Sequence, residues 1–250
     1  MVWLFADGLC GENARRQRPQ DHLMPSATSV PEPHRTHQYR VGVTLVALLS
    51  VLAGMTDAIG FLATGDYVSF MSGNTTRLAI GVGEWRHETT LRLALAVLAF
   101  VFGNALGVVM VRACGRRAFP MLLLIGAVLI AVAFAPAKSW PALMAAIVSM
   151  GMLNAAVEQV NGSPVGLTYV TGGLSRLGRG IGRWILGEGS TQWLNQLVPW
   201  FGMFGGAVLG TLLHTRYGML AMAGSGALAA MLALIFMVVP RTWQLQYLSR

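Results

Sequence analysis

The chain has 250 residues, of which 54% are hydrophobic and 11% charged, with a mean hydropathy of +0.58. A soluble domain carries about a quarter charged residues, so this composition excludes an ordinary soluble enzyme or binding module and describes a protein of the bilayer. The formal net charge of +8 is scattered beside apolar segments rather than gathered in a patch, which fits lipid headgroups and membrane topology and excludes nucleic acid as the partner.

In chain order, residues 1–40 are expected to be a disordered polar tail. Arg15, Arg16, Arg18, Pro19, Pro25, Pro31 and Pro33 interrupt it without a periodic apolar pattern. The apolar start, residues 2–6, runs into Asp7 with no preceding basic region, which argues against a signal peptide, and Met24 is an alternative start. Residues 41–240 form one membrane domain, and 241–250 a short C-terminal tail.

A hydrocarbon core of about 30 Å needs roughly 20 helical residues, and irregular backbone facing lipid would leave peptide groups unpaired. Six helical spans are predicted at about 41–63, 93–111, 119–135, 142–160, 194–213 and 219–239. Two further stretches, 68–83 and 167–187, are interrupted by Arg, Ser, Thr, Asn and Gly, and read as broken or re-entrant motifs. With the N-terminus inside, six spans place 13 basic residues inside and 5 outside, in line with the positive-inside tendency. An eight-span alternative keeps the bias but buries Arg77, Arg176 and Arg179, at several kcal/mol each unless they are paired or wetted. Trp85, Trp140, Trp184, Trp193 and Trp243 fall near segment ends, where indoles anchor at headgroups.

An internal repeat organises the chain. Val-Ser-Phe-Met-Ser-Gly-Asn-Thr-Thr-Arg-Leu at 68–78 matches Leu-Thr-Tyr-Val-Thr-Gly-Gly-Leu-Ser-Arg-Leu at 167–177 at an offset of 99. Gly81 and Gly83 continue it to Gly180 and Gly182. Upstream, Gly54-Met55-Thr56-Asp57-Ala58 aligns with Gly151-Met152-Leu153-Asn154-Ala155. Downstream, Phe102-Gly103-Asn104-Ala105 resembles Phe204-Gly205-Gly206-Ala207. Repeat 1 covers about 41–136 and repeat 2 about 141–239, each a span, a motif and two more spans. An odd number of spans per half turns the second half over, the inverted-repeat plan of many secondary transporters. The predicted fold is therefore an all-α integral membrane protein of about six transmembrane helices in two inverted three-span repeats, each with a broken or re-entrant Gly/Ser/Thr-rich motif.

Ser72-Gly73-Asn74 and Thr171-Gly172-Gly173 resemble helix starts, because Ser, Thr and Asn cap free amides and Gly permits tight backbone. Arg77 and Arg176 follow one turn inside. Such ends offer amides and partial positive charge to an anionic ligand; the competing reading is close helix packing, with each Arg reaching the headgroups. Asp57 is the acidic residue of the first span, and an intramembrane carboxylate suggests function. Its expected partner is Arg77 or, across the axis, Arg176, as a structural pair or as a relay. Asn154 replaces it in the second half, with Glu158 one turn on. The solute-binding set is Asp57, Ser72, Gly73, Asn74, Thr75, Arg77, Asn154, Thr171, Gly172, Gly173 and Arg176. Gly103/Gly107 and Gly206/Gly210 have the small-xxx-small spacing of close helix packing.

At these residues the chain resembles the YoaK family of bacterial inner-membrane proteins, most specifically in Phe70-Met71-Ser72-Gly73-Asn74-Thr75-Thr76-Arg77 and over about 41–239. The resemblance implies a multi-spanning inner-membrane protein and supplies no substrate.

The expected function is that of a secondary transporter-like or channel-like protein for a small anionic solute. The alternative is a structural or regulatory membrane protein acting through helix association, with a second copy of the chain as partner. No cofactor or metal is expected, since Cys10 and Cys114 stand apart and the histidines are scattered. Neither Gly-x-x-x-x-Gly-Lys nor His-Glu-x-x-His occurs, so catalysis is not expected. Both termini are expected to be cytoplasmic: reporter fusions at Arg250 and after Lys138 should report opposite sides, and the same side for both would overturn six spans.

Overall fold

The computed structural model describes residues 32–136, 138–156, 159–160, 163–164, 170–187, 193–194 and 197–240, with side chains for 39–136, 138–155, 171–187, 193–194 and 197–240. The fold is all-α. Its helices are α1 (Glu32–Thr64), α2 (Met71–Gly83), α3 (His87–Ala113), α4 (Phe119–Ala133), α5 (Trp140–Ala156), α6 (Val170–Ile185), α7 (Leu197–Tyr217) and α8 (Met222–Val238). A 3-10 turn, Gly218–Ala221, joins α7 to α8, and β1 (Gln159–Val160) pairs with β2 (Ser163–Pro164) in an antiparallel two-residue ladder.

Helix ends fall where the backbone needs them. Pro120, Pro141 and Pro199 lie in the first turns of α4, α5 and α7, where a missing amide hydrogen costs no intrahelical bond. Gly65, Gly115 and Gly218 have φ of 81°, 66° and 58° and close α1, α3 and α7 in the left-handed conformation. Helix α1 begins at Glu32, inside the segment expected to be tail; residues 1–31 and 241–250 lie outside the described residues.

Three helical stretches among the described residues are long and apolar enough to cross a bilayer: Tyr39–Thr64, His87–Ala113 and Leu197–Val238, the last containing both α7 and α8. Gly224 of α8 lies beside the Leu213 side chain of α7, so the chain doubles back at the 3-10 turn. Helices α4 and α5 are apolar but shorter, at 15 and 17 residues.

The core is formed by α1, α4, α5 and α8. Leu49, Leu52 and Ile59 interlock with Met121, Ile125 and Leu129, with Ile147 and Met150, and with Ala229, Leu232 and Phe236, all of them buried. Helices α3 and α7 are peripheral, exposing Leu98, Val101, Phe102 and Val109 on one and Phe201, Phe204, Leu209 and Leu212 on the other. Such apolar surfaces belong against lipid tails.

Pairing follows a rule. Helix α1 packs on α7 and α3 on α5; α4 packs on α8; α1 touches α8 as α5 touches α4; α2 sits on α3 as α6 sits on α7. Exchanging α1–α4 with α5–α8 leaves these pairings unchanged. The glycines repeat the rule residue by residue. A Cβ at Gly206 would strike the Val51 backbone, and one at Gly103 the Val148 backbone. Gly210 meets Met55 as Gly107 meets Met152, and Gly54 meets Met203 as Gly151 meets Phe100. Gly126 and Gly226 face each other, each placing its absent Cβ 2.8 and 2.7 Å from the other's carbonyl oxygen. The sequence alignment of Gly103 with Gly205 is thereby corrected by one position: Gly205 has no neighbour, whereas Gly206 makes the contact equivalent to that of Gly103.

A side chain forced between these backbones must separate the helices, and overpacking of this kind costs about 1–3 kcal/mol or more. Gly103→Leu and Gly206→Leu should each lower the melting temperature of the purified protein, while Gly205→Leu, pointing into open space, should melt like the parent.

Candidate functional site

The first repeat's motif is built around a chain reversal. Helix α1 stops at Thr64, whose Oγ1 donates to the Gly60 carbonyl at 2.8 Å, and Gly65 turns the chain back along the helix it has just left. Val68 then packs where Gly60 lacks a side chain. At the bottom of this return, the amides of Val68 and Ser69 both donate to Asp57 Oδ1 at 2.7 Å. Asp57 is buried, and its carboxylate holds two peptide groups that neither helix could satisfy.

Asn74 holds the same segment from the other side. Its Nδ2 donates to the Tyr67 carbonyl at 2.7 Å and its Oδ1 accepts from the Tyr67 amide at 3.1 Å, so one side chain completes both polar groups of one residue. The Tyr67 ring stacks on Phe61 with centroids 4.6 Å apart and meets Phe70 edge-on. Gly73 lies beneath these rings, where a Cβ would enter the Phe70 ring.

Asp66 collects the arginines. Arg77 Nη1 donates to Asp66 Oδ1 at 2.7 Å and also reaches the Gly65 carbonyl. Arg92, from the second turn of α3, places Nη2 3.3 Å from Oδ1 and Nε 2.8 Å from Oδ2; the latter contact lies outside hydrogen-bond geometry and is electrostatic. The Asp66 side chain is 1% exposed and the two arginine side chains about one-third exposed. Two cations on one carboxylate leave the cluster with one net positive charge, and one edge of it reaches the surface.

This corrects the expected partner of Asp57. Arg77 binds Asp66, and the described partners of Asp57 are backbone amides. The physical reason is the chain reversal, which leaves amides at the depth of Asp57 and carries Asp66 to Arg77. Helix α2 does begin at the motif, with Phe70 before its first turn, but no side chain caps it. Ser72 is exposed, while the Thr75 and Thr76 hydroxyls bond back to the Met71 and Ser72 carbonyls.

The second-half residues lie elsewhere. Asn154 of α5 donates to Asn104 Oδ1 of α3 at 3.3 Å, and Asn104 donates to the Phe100 carbonyl at 2.9 Å. Thr171, Gly172, Gly173 and Arg176 lie on α6, which sits against α7, whereas α2 sits against α3. Asp57, Gly73, Asn74 and Arg77 are thus gathered around residues 65–70, and the second motif occupies a separate seat. Glu158 and residues 165–169 lie outside the described residues. Among the described residues no group of His, Cys, Asp or Glu is arranged to hold a metal.

Sequence reasoning missed Asp66, Arg92 and Tyr67. Neither Asp66 nor Tyr67 was singled out, and Arg92 entered only as one of the five basic residues counted outside. The Gly65-Asp66 pair after an apolar helix was the available signal for a sharp return.

Apolar helices of spanning length with exposed apolar outer surfaces define a multi-spanning α-helical membrane protein. The family model described as "Protein of unknown function (DUF1275)" matches residues 45–237, and the chain belongs to that family. It is similar to the UPF0700 transmembrane protein RA0705 of Rhizobium meliloti (strain 1021), with 45% identity over 209 residues, covering 84% of this chain and 92% of that protein. It is also similar to the UPF0700 transmembrane protein YoaK of Bacillus subtilis (strain 168), with 26% identity over 147 residues, covering 54% of this chain and 64% of that protein. No solved structure matches.

Asp57→Ala leaves two buried amides without an acceptor and should destabilise the protein by about 1–3 kcal/mol, read as a lower midpoint of unfolding. A double-mutant cycle should give coupling of about 0.5 kcal/mol or more for Asp66 with Arg77, and less for Asp57 with Arg77.

Proposed function

We propose that the chain is a six-span inner-membrane protein with both termini cytoplasmic, whose two inverted three-span halves form a transporter-like or channel-like path for a small anionic solute. The observation that carries this reading is the exchange rule of the helix pairings and glycine contacts, residue for residue. An inverted repeat related by an axis in the membrane plane produces such a rule, and transporters of this plan work by moving one block against another.

The packing suggests which blocks those are. They are not the sequence halves, because α1 is locked by glycines to α7 of the other half and α3 to α5. The α1–α7 and α3–α5 pairs each behave as a unit; they touch lightly where α1 meets α5 and are bridged by α4 and α8. The Gly126–Gly226 contact at the centre is the natural pivot. Asp57, Asp66, Arg77 and Arg92 then lie at one mouth of the path, and the net positive charge of the Asp66 cluster favours an anion.

Helix association through Gly103/Gly107 and Gly206/Gly210 is the competing reading. Those glycines are covered by α5 and α1 of the same chain, so they offer nothing to a second copy.

Reconstituted into proteoliposomes, the protein should carry a small anion above the background of empty vesicles. In a variant lacking Cys10 and Cys114, a disulfide engineered between α1 and α5 should arrest flux, while one between α1 and α7 should leave it intact. No flux across a panel of small inorganic and carboxylate anions would overturn the transport reading.

A further inference from the structure

We propose that α6 lies in the plane of the membrane surface as an amphipathic helix that recruits anionic lipid headgroups through Arg176, Arg179 and Arg183. The helix spans Val170–Ile185. At 3.6 residues per turn, the three arginines, spaced i, i+3 and i+7, form one stripe, and Leu174, Ile181 and Ile185 form a second on the opposite side. All six are exposed, with Ile185 at 72% and the following Leu186 at 79%.

Between these stripes runs the edge that meets the protein. Gly173 is buried, Leu177 is half-buried, and a Cβ at Gly180 would collide with Trp193. The helix is therefore attached edge-on to the α7 side of the bundle, its basic flank facing one way and its apolar flank the other. A span would offer lipid an apolar circumference, and a soluble surface helix would bury Leu174, Ile181 and Ile185. A helix bound on one edge, with a cationic flank opposite an exposed apolar flank, matches the boundary between headgroups and acyl chains. Trp184, 58% exposed, lies on the apolar side of that edge, where indoles settle in interfaces.

The counterpart helix α2 makes the contrast. It carries one arginine, Arg77, which is turned onto Asp66, whereas α6 carries three along an exposed stripe. In the six-span arrangement α6 lies at the cytoplasmic leaflet, where anionic lipid is concentrated.

The test uses the full chain in nanodiscs of phosphatidylcholine with or without phosphatidylglycerol. In a background lacking Cys10 and Cys114, an environment-sensitive fluorophore on Ile181→Cys should emit as in an apolar medium and be quenched by doxyl-labelled lipid; one on Arg179→Cys should emit as in water. A label at 181 in water, or one shielded but insensitive to doxyl lipid, overturns the proposal; the latter would mean that protein covers the helix. Phosphatidylglycerol enrichment around the protein should fall about fivefold per arginine in Arg176→Gln, Arg179→Gln and Arg183→Gln, the factor equivalent to about 1 kcal/mol per basic residue at an anionic surface. The triple lysine variant should keep the enrichment. Unchanged enrichment in the glutamine variants, or its loss in the lysine variant, overturns the proposal.

Discussion

Backbone contact between helices is the constraint on which the rest of this structure depends. Lipid tails are as apolar as the side chains they touch, so no hydrophobic force draws one span to another, and association rests on close packing and polar contacts. Here the close packing comes from glycines placed so that carbonyl oxygens of one helix fill the space a Cβ would need on the next. Gly54, Gly202, Gly206 and Gly210 bind α1 to α7, Gly103, Gly107 and Gly151 bind α3 to α5, and Gly126 and Gly226 bind α4 to α8. Each contact gains dispersion energy only while the helices stay in register, so the glycine positions also fix how far each helix is shifted along its partner.

The second constraint is that every peptide group inside the bilayer needs a partner. The return at residues 65–70 breaks the helical ladder inside the packed protein, and its amides would be orphaned without Asp57 and Asn74. A carboxylate is an economical solution because one oxygen accepts two amides, and a charged acceptor makes a stronger bond than a neutral one. Asp66 brings a further charge into the interior, and Arg77 and Arg92 answer it from two different helices. The loop, the start of α2 and the first turns of α3 are thus tied into one polar unit attached to the end of α1.

Symmetry and asymmetry have separate origins. The glycine contacts are matched between halves because both halves must bury the same kind of surface. The polar residues are not matched: Asp57 corresponds to Asn154, and Asn104 of α3, the described partner of Asn154, corresponds to Ala207 in α7. The seat of Gly81 against Thr90 recurs as Gly180 against Trp193, yet α2 directs its arginine inward and α6 displays a basic flank. A common frame therefore carries two motifs with different surroundings.

The sequence by itself determined that this is a helical membrane protein, and its self-similarity pointed to two related halves and to residues 68–83 and 167–187 as interruptions of the span pattern. Each of these follows from local composition or from self-similarity, which one chain displays without folding. It also placed glycine contacts in α3 and α7, because small residues four apart share a helix face. Which helices those faces meet was decided only by the tertiary structure: α1 pairs with α7 and α3 with α5, across the halves. Partner choice depends on how the spans are arranged in the bilayer, and nothing in a local window encodes that. The same holds for the charges. The spacing from Asp57 to Arg77 suggested a pair, but a sharp turn at Gly65 brought Asp66 to Arg77 and gave Asp57 to the backbone, because chain reversal, unlike helical periodicity, brings together residues that no fixed spacing predicts.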